Sequence, residues 1–101
     1  MGLNMNLIKR GEAAELQLIG YIDSSNADEV DKILTDLTGR FDTLTLDMEQ
    51  LEYISSAGLR ALKHAYMEMR QKHGTLEAKN VSKAVMEVLE ITGFTRLFKF
   101  V

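Results

Sequence analysis

The chain has no cysteine and no proline. Without cysteine there is no disulfide, no thiolate nucleophile and no thiolate metal site, which fits a reducing compartment and excludes cysteine redox chemistry. Without proline, a repeat or a low-complexity tract, no part of the 101 residues reads as a linker. No apolar run approaches the roughly 20 residues that a membrane-spanning helix needs. The N-terminal "MGLNMNLIKR" also lacks the order of regions of a signal peptide. A cytoplasmic protein with no membrane partner is expected. Basic residues number 12 against 15 acidic, for a net charge of −3. They are spread along the chain rather than gathered into a block that could follow phosphates, so direct nucleic-acid binding is not expected.

What is present is an ordinary globular balance, 46% hydrophobic and 27% charged, in a chain long enough for one core and too short for two. One domain over residues 1–101 is expected. "MNLIKR" and "AELQLIGYI" flank the turn "GEA" as a hairpin, with Leu16, Leu18, Gly20 and Ile22 alternating as on a half-buried strand. "SSNADEVDKILTDLTG" follows as a first helix, with Ala27, Val30, Leu34 and Leu37 on one face. Ser25 and Asp28 are spaced as its capping box and Gly39 as its stop. "FDTLTLDM" reads as a central strand ending near Asp47. A second helix carries Leu59, Leu62, Tyr66 and Met69 on one face and closes at Gly74. "TLEAK" is a strand and "VSKAVMEVLEIT" a third helix, with Val81, Ala84, Val85 and Val88 on one face and Gly93 at its end. "LFKFV" is a last short strand or packed terminus. Strands alternating with helices after a hairpin predict an α/β domain, a mixed sheet of four to five strands with helices packed on it.

The junction "LDMEQLEYISSAGLRAL", residues 46–62, sets Ser55 and Ser56 between a strand and a helix. Free N–H groups and the helix dipole favour an anion at such a junction. Ser56 is expected as the N-cap, worth about 1 kcal/mol against alanine. Gly58 is expected to leave the first turn open to another molecule, so that Gly58→Val should impair docking more than folding. A phosphoryl group on Ser56 would add about −1.5 to −2 charges where the dipole tolerates them, with Arg60 one turn further on. Catalysis by the serines lacks a local base. His64 lies two turns along the same helix, both histidines read as exposed, and "SSAG" is not the G-x-S-x-G frame of a hydrolase elbow. Asp47 sits at a strand end as a receiver's phospho-acceptor would, but "NLIKRGE" offers no acidic pair for Mg²⁺. Asp23, Asp47, Glu49 and Glu52 come with no phosphate-binding loop. No enzyme activity and no cofactor are expected.

At these residues the chain resembles a known family. "LTLDMEQLEYISSAGLRAL" is similar to the signature of STAS domains, "LIGYIDSSNADEV" to the turn before their first helix, and "LEITGFTRLFKF" to their C-terminal end. The likeness covers essentially the whole chain and is nearest to the bacterial anti-sigma factor antagonists. It implies a STAS-like sheet with helices at one face, and Ser56 as the target of a partner kinase. Asp23, Ser24, Asp47, Ser55, Ala57, Gly58, Leu59 and Arg60 would then form the partner-binding surface, with Asp47 next to the phosphorylatable serine. The implied partners are an anti-sigma factor with serine kinase activity, which the unphosphorylated protein binds so that a sigma factor is released, and a PP2C-type phosphatase. Ser55 and Ala57 stand where the most familiar antagonists have an aspartate and a second hydroxyl residue. The alternative is a constitutive interaction module of the same fold, in a stress-signalling or transport complex, whose Ser56 is never modified.

Overall fold

Leu16, Leu18, Leu44, Leu46, Leu76 and Ala78 are all at most 4% exposed, and they alternate with half-exposed neighbours along three strands. That alternation gives a sheet one buried face. The computed structural model describes residues 2–101. Its elements are β1 (Leu3–Arg10), β2 (Ala13–Ile22), α1 (Ala27–Arg40), β3 (Thr43–Asp47), β4 (Leu51–Ile54), α2 (Ser56–Gln71), β5 (Thr75–Lys79) and α3 (Lys83–Thr92). A 3₁₀ turn (Phe94–Leu97) and β6 (Lys99–Phe100) complete the chain. The mixed sheet with packed helices is as expected, with six strands in the order β1-β2-β3-β5-β6 and β4 pairing β2. Only β1 and β2 are antiparallel.

The added strand is β4. Residues 13–17 of β2 pair with β3, and residues 20–22 pair with β4. One strand thus takes two successive parallel neighbours on the same side. The exchange occurs at a register shift between Gly20 and Tyr21, where Gly20 has φ +112° and its N–H donates to Gln50 O at 2.9 Å. "LEYI" escapes the sequence reading because four residues with buried ends and an exposed Glu52–Tyr53 middle carry no alternation.

The helices differ from expectation at their ends. At the start of α1, Ser25 does not form a capping box with Asp28. The N-cap is Asn26, which makes no side-chain cap bond. The helix also runs past Gly39 to Arg40, and at its end Lys72 Nζ donates to Thr38 O at 2.9 Å and Phe41 O at 3.1 Å. A lysine more than 30 residues away thus satisfies carbonyls at the helix end. Helix α2 ends at Gln71, and His73, not Gly74, takes the left-handed conformation (φ 60°). On α3, Ala84 is exposed, and Val85 and Leu89 fill the core beside β4.

Candidate functional site

Because β2 and β4 are parallel neighbours, with Ile22 opposite Ile54, the loops leaving their carboxyl ends emerge side by side. Ser55 N–H ties them by donating to Ile22 O at 2.9 Å. Asp23 and Ser24 lie on one loop, and Ser55 and Ser56 open the helix on the other. These two sequence-distant pairs are brought together by the fold.

On the first loop, Asp23 Oδ1 accepts the Ser25 N–H at 2.9 Å and the Ser25 hydroxyl. Asn26 locks the turn from both sides: its Oδ1 accepts the Asp23 N–H at 3.0 Å, and its amide donates to Tyr21 O at 2.9 Å. The Ser25 hydroxyl and N–H hold the Asp23 carboxyl below the usual aspartate value, so a fixed carboxylate stands at the rim. Ser24 is exposed beside it.

The two serines of the second loop have separate roles. Ser55, not Ser56, is the N-cap, and its Oγ accepts the Gly58 N–H at 3.2 Å. Ser56 is the first helical residue, exposed, and its hydroxyl makes no hydrogen bond within the described residues. An N-cap needs extended backbone; Ser55 has φ −84° and ψ 172°, which moves the start of the helix one residue earlier than its apolar pattern suggested. Ser55→Ala is expected to cost about 1 kcal/mol in urea denaturation, and Ser56→Ala less than about 0.5 kcal/mol.

Three other expectations are corrected. Gly58 is buried rather than open to a partner. A Cβ there would lie 2.6 Å from Ile22 Cγ2 and 2.8 Å from Ile54 Cγ1, so the glycine seats α2 on the strand ends. Leu59 is 7% exposed and belongs to the core, where it supports the surface without forming it. Asp47 is not beside Ser56. It pairs with Gln17, whereas the serines follow Ile54 opposite Ile22, and five strand residues span roughly 16 Å. Asp47 Oδ1 instead fixes the turn into β4, accepting the Glu49 N–H at 3.1 Å and the Asn80 amide at 3.3 Å.

Ala57 and Arg60 line a groove between α1 and α2 with Ala27, Asp28, Asp31 and His64. The sequence assigns Asp28 only to a capping box and His64 only to an exposed helix face, and gives Asp31 no role; the spacing of Asp28 and Asp31 at i and i+3 is the signal that could have marked the groove. His64 Nδ1 meets Asp31 Oδ1 at 2.9 Å, and Nε2 lies 3.4 Å from Glu68 Oε1. The hydrogen bond and charge of Asp31 raise the imidazole above its ordinary 6.5. With the folded value above the unfolded one, the pair's contribution to stability is fully present below about pH 6.5 and is lost as pH rises through the folded value. Asp31→Asn should return the ring toward its ordinary titration in NMR and flatten stability across that window. Held by Asp31 and Glu68, two turns along α2 from Ser56, His64 is not placed as a base for that serine.

A family model described as Mlab, STAS domain, matches residues 5–99. BtrV of Bordetella bronchiseptica, provisionally named an anti-sigma factor antagonist, is 35% identical over 99 residues, 97% of this chain and 84% of that protein. An anti-sigma factor antagonist from Mycobacterium paratuberculosis superposes with a TM-score of 0.85 at 17% identity, over 98% of this chain and 85% of the other. The Bacillus cell fate determinant SpoIIAA in its phosphorylated form superposes with a TM-score of 0.75 at 17% identity, over 99% and 91%. The two structural likenesses bear on the fold alone. Among the described residues no helix is long and apolar enough to cross a membrane.

Proposed function

The chain belongs to the STAS domain family, and on that premise we propose that it is an anti-sigma factor antagonist switched by phosphorylation of Ser56. Unphosphorylated, it binds an anti-sigma factor that is also a serine kinase, and a sigma factor is released to direct transcription. The kinase transfers a phosphoryl group from ATP. The Ser56 Oγ–P bond forms as the bond from phosphorus to the leaving ADP oxygen breaks, and the hydroxyl proton passes to a base of the kinase. A PP2C-type phosphatase hydrolyses the ester and restores binding. The protein catalyses nothing itself and works in the cytoplasm.

The observation that carries this reading is the division between the serines: Ser55 Oγ is taken by the cap, while Ser56 is exposed and uncommitted. A kinase can reach Ser56 without dismantling the helix start. Asp23, Ser24, Ser55, Ala57 and Arg60 surround it as the docking face, over the buried Gly58 and Leu59. Two charges placed at the centre of that face oppose docking through repulsion and desolvation. The relationship to BtrV supports the antagonist role, and a phosphorylated form exists for a protein of the same fold.

The test presents wild type, Ser56→Ala and Ser56→Asp as baits to a lysate of the organism that encodes the chain, with partners and phosphosites read by mass spectrometry. A kinase-type anti-sigma factor retained by wild type and alanine, and reduced at least about tenfold with aspartate, is the expected result. One partner set held equally by all three baits would make the protein a constitutive scaffold.

A further inference from the structure

Ser56 and Arg60 stand at i and i+4 on α2, the spacing at which helix side chains are neighbours. Helical side chains lean toward the N-terminus, so the turn that holds Ser56 lies within reach of the long Arg60 side chain. The order, an anion one turn before a cation, is the favourable one along a helix. Arg60 is exposed and makes no ion pair among the described residues. His64, the next residue along this stripe of the groove, is engaged by Asp31 and Glu68. The helix start therefore has a guanidinium within one turn whose five donors are not occupied by an ion pair.

We propose that Arg60 is an intramolecular clamp for phosphorylated Ser56, a positioning residue that folds back onto the phosphate and leaves the α1–α2 groove when the switch is set. This rests on the phosphorylation reading and adds what the chain does with the charge. Unmodified, the groove presents Arg60 opposite Asp28 and Asp31. Once the guanidinium is engaged, the groove keeps the carboxylates of its α1 wall and loses the free cation of its α2 wall. Modification then changes the docking face twice, by adding the phosphate and by withdrawing Arg60. A two-donor fork held against phosphate oxygens is also a better clamp than a lysine point charge.

Chain carrying phosphoserine at position 56 by translational incorporation separates this idea from whether a cell makes the modification. The phosphate is titrated by ³¹P NMR in otherwise wild-type protein and in Arg60→Gln, Arg60→Lys and Lys63→Gln backgrounds. Phosphoserine's second ionisation lies near about 6. Asp23, Asp28 and Asp31 raise it and the helix dipole lowers it in every background. Lys63 and a protonated His64 also lower it, His64 in every background and Lys63 in all but its own variant. Arg60→Gln should raise the midpoint by about half a unit, Arg60→Lys should fall between, and Lys63→Gln should leave it nearly unchanged. A midpoint unmoved by Arg60→Gln, or moved equally by Lys63→Gln, overturns the clamp. Unmodified Arg60→Gln should melt with the wild type, because the side chain is exposed. A lysate that never phosphorylates Ser56 would defeat the proposed function and leave the titration result intact. Phosphorylation in the lysate with an unmoved midpoint would do the reverse.

Discussion

Gly58→Val is expected to destabilise the protein by at least about 2 kcal/mol in urea denaturation, as overpacking against a fixed neighbour does. Helix propensity alone gives the opposite sign, since glycine inside a helix is about 1 kcal/mol worse than alanine. Here the backbone of α2 lies against the ends of β2 and β4. Even a single Cβ would sit 2.6 Å from one isoleucine and 2.8 Å from another. Both contacts are to buried side chains, Ile22 at 0% and Ile54 at 4% exposure, with little room to retreat. Gly58→Ala should therefore also be destabilised. Combined with Ile22→Ala, it should cost less than the sum of the two single changes, because the pair shares one contact. An alanine variant as stable as wild type would show that the helix can lift off the strand ends freely. Partner binding in these variants should fall only as the folded fraction falls, which reverses the expectation that docking fails first.

The second large effect is at Gly20. Its φ of +112° is closed to L side chains, and a Cβ there would stand 2.3 Å from the backbone oxygen of Gly2. That oxygen accepts the Tyr21 N–H at 3.1 Å, so the clash falls on a bond holding β1 to β2. Gly20→Ala is expected to cost more than about 2 kcal/mol, from strain and steric overlap together. The damage should be directional. At this residue β2 changes its neighbour from β3 to β4, and the register that puts Ile22 opposite Ile54 depends on the shift. Hydrogen exchange should accelerate first in β4 and the first turn of α2, while the β2–β3 pairing over residues 13–17 and 43–47 stays protected. Uniform loss of protection would mean that the register shift is not a separate weak point.

Much of the architecture was legible because it rests on local pattern. The faces of α1 and α2, the alternation of β2, the strand "TLEAK" and the mixed class follow from period and composition, and the core contains Val30, Leu34, Leu37, Leu59, Leu62 and Met69. The site was legible in part. "SSAG" marks a helix start, and Asp23 and Ser56 reach one surface. The rest was not legible for two separate reasons. The family resemblance implies Asp47 beside Ser56, but strand β4, whose four residues lack the alternation that would reveal them, intervenes and sets the carboxylate a strand length away. Gly58 reads as an opening toward solvent because sequence does not say which side of a glycine faces another element.

The sequence by itself determined the α/β class, the helix faces and strand alternation, the absence of thiol chemistry and the presence of two hydroxyls at a helix start. Each follows from residue type and short-range spacing. The tertiary structure decided which hydroxyl is taken and which is free, which residues are surface and which are seat, and that His64 is held by Asp31 from another helix. Those outcomes depend on register at Gly20 and on contacts between residues more than 30 apart, such as Ile22 with Gly58 and Asp31 with His64. They arise only when strands and helices pack against one another.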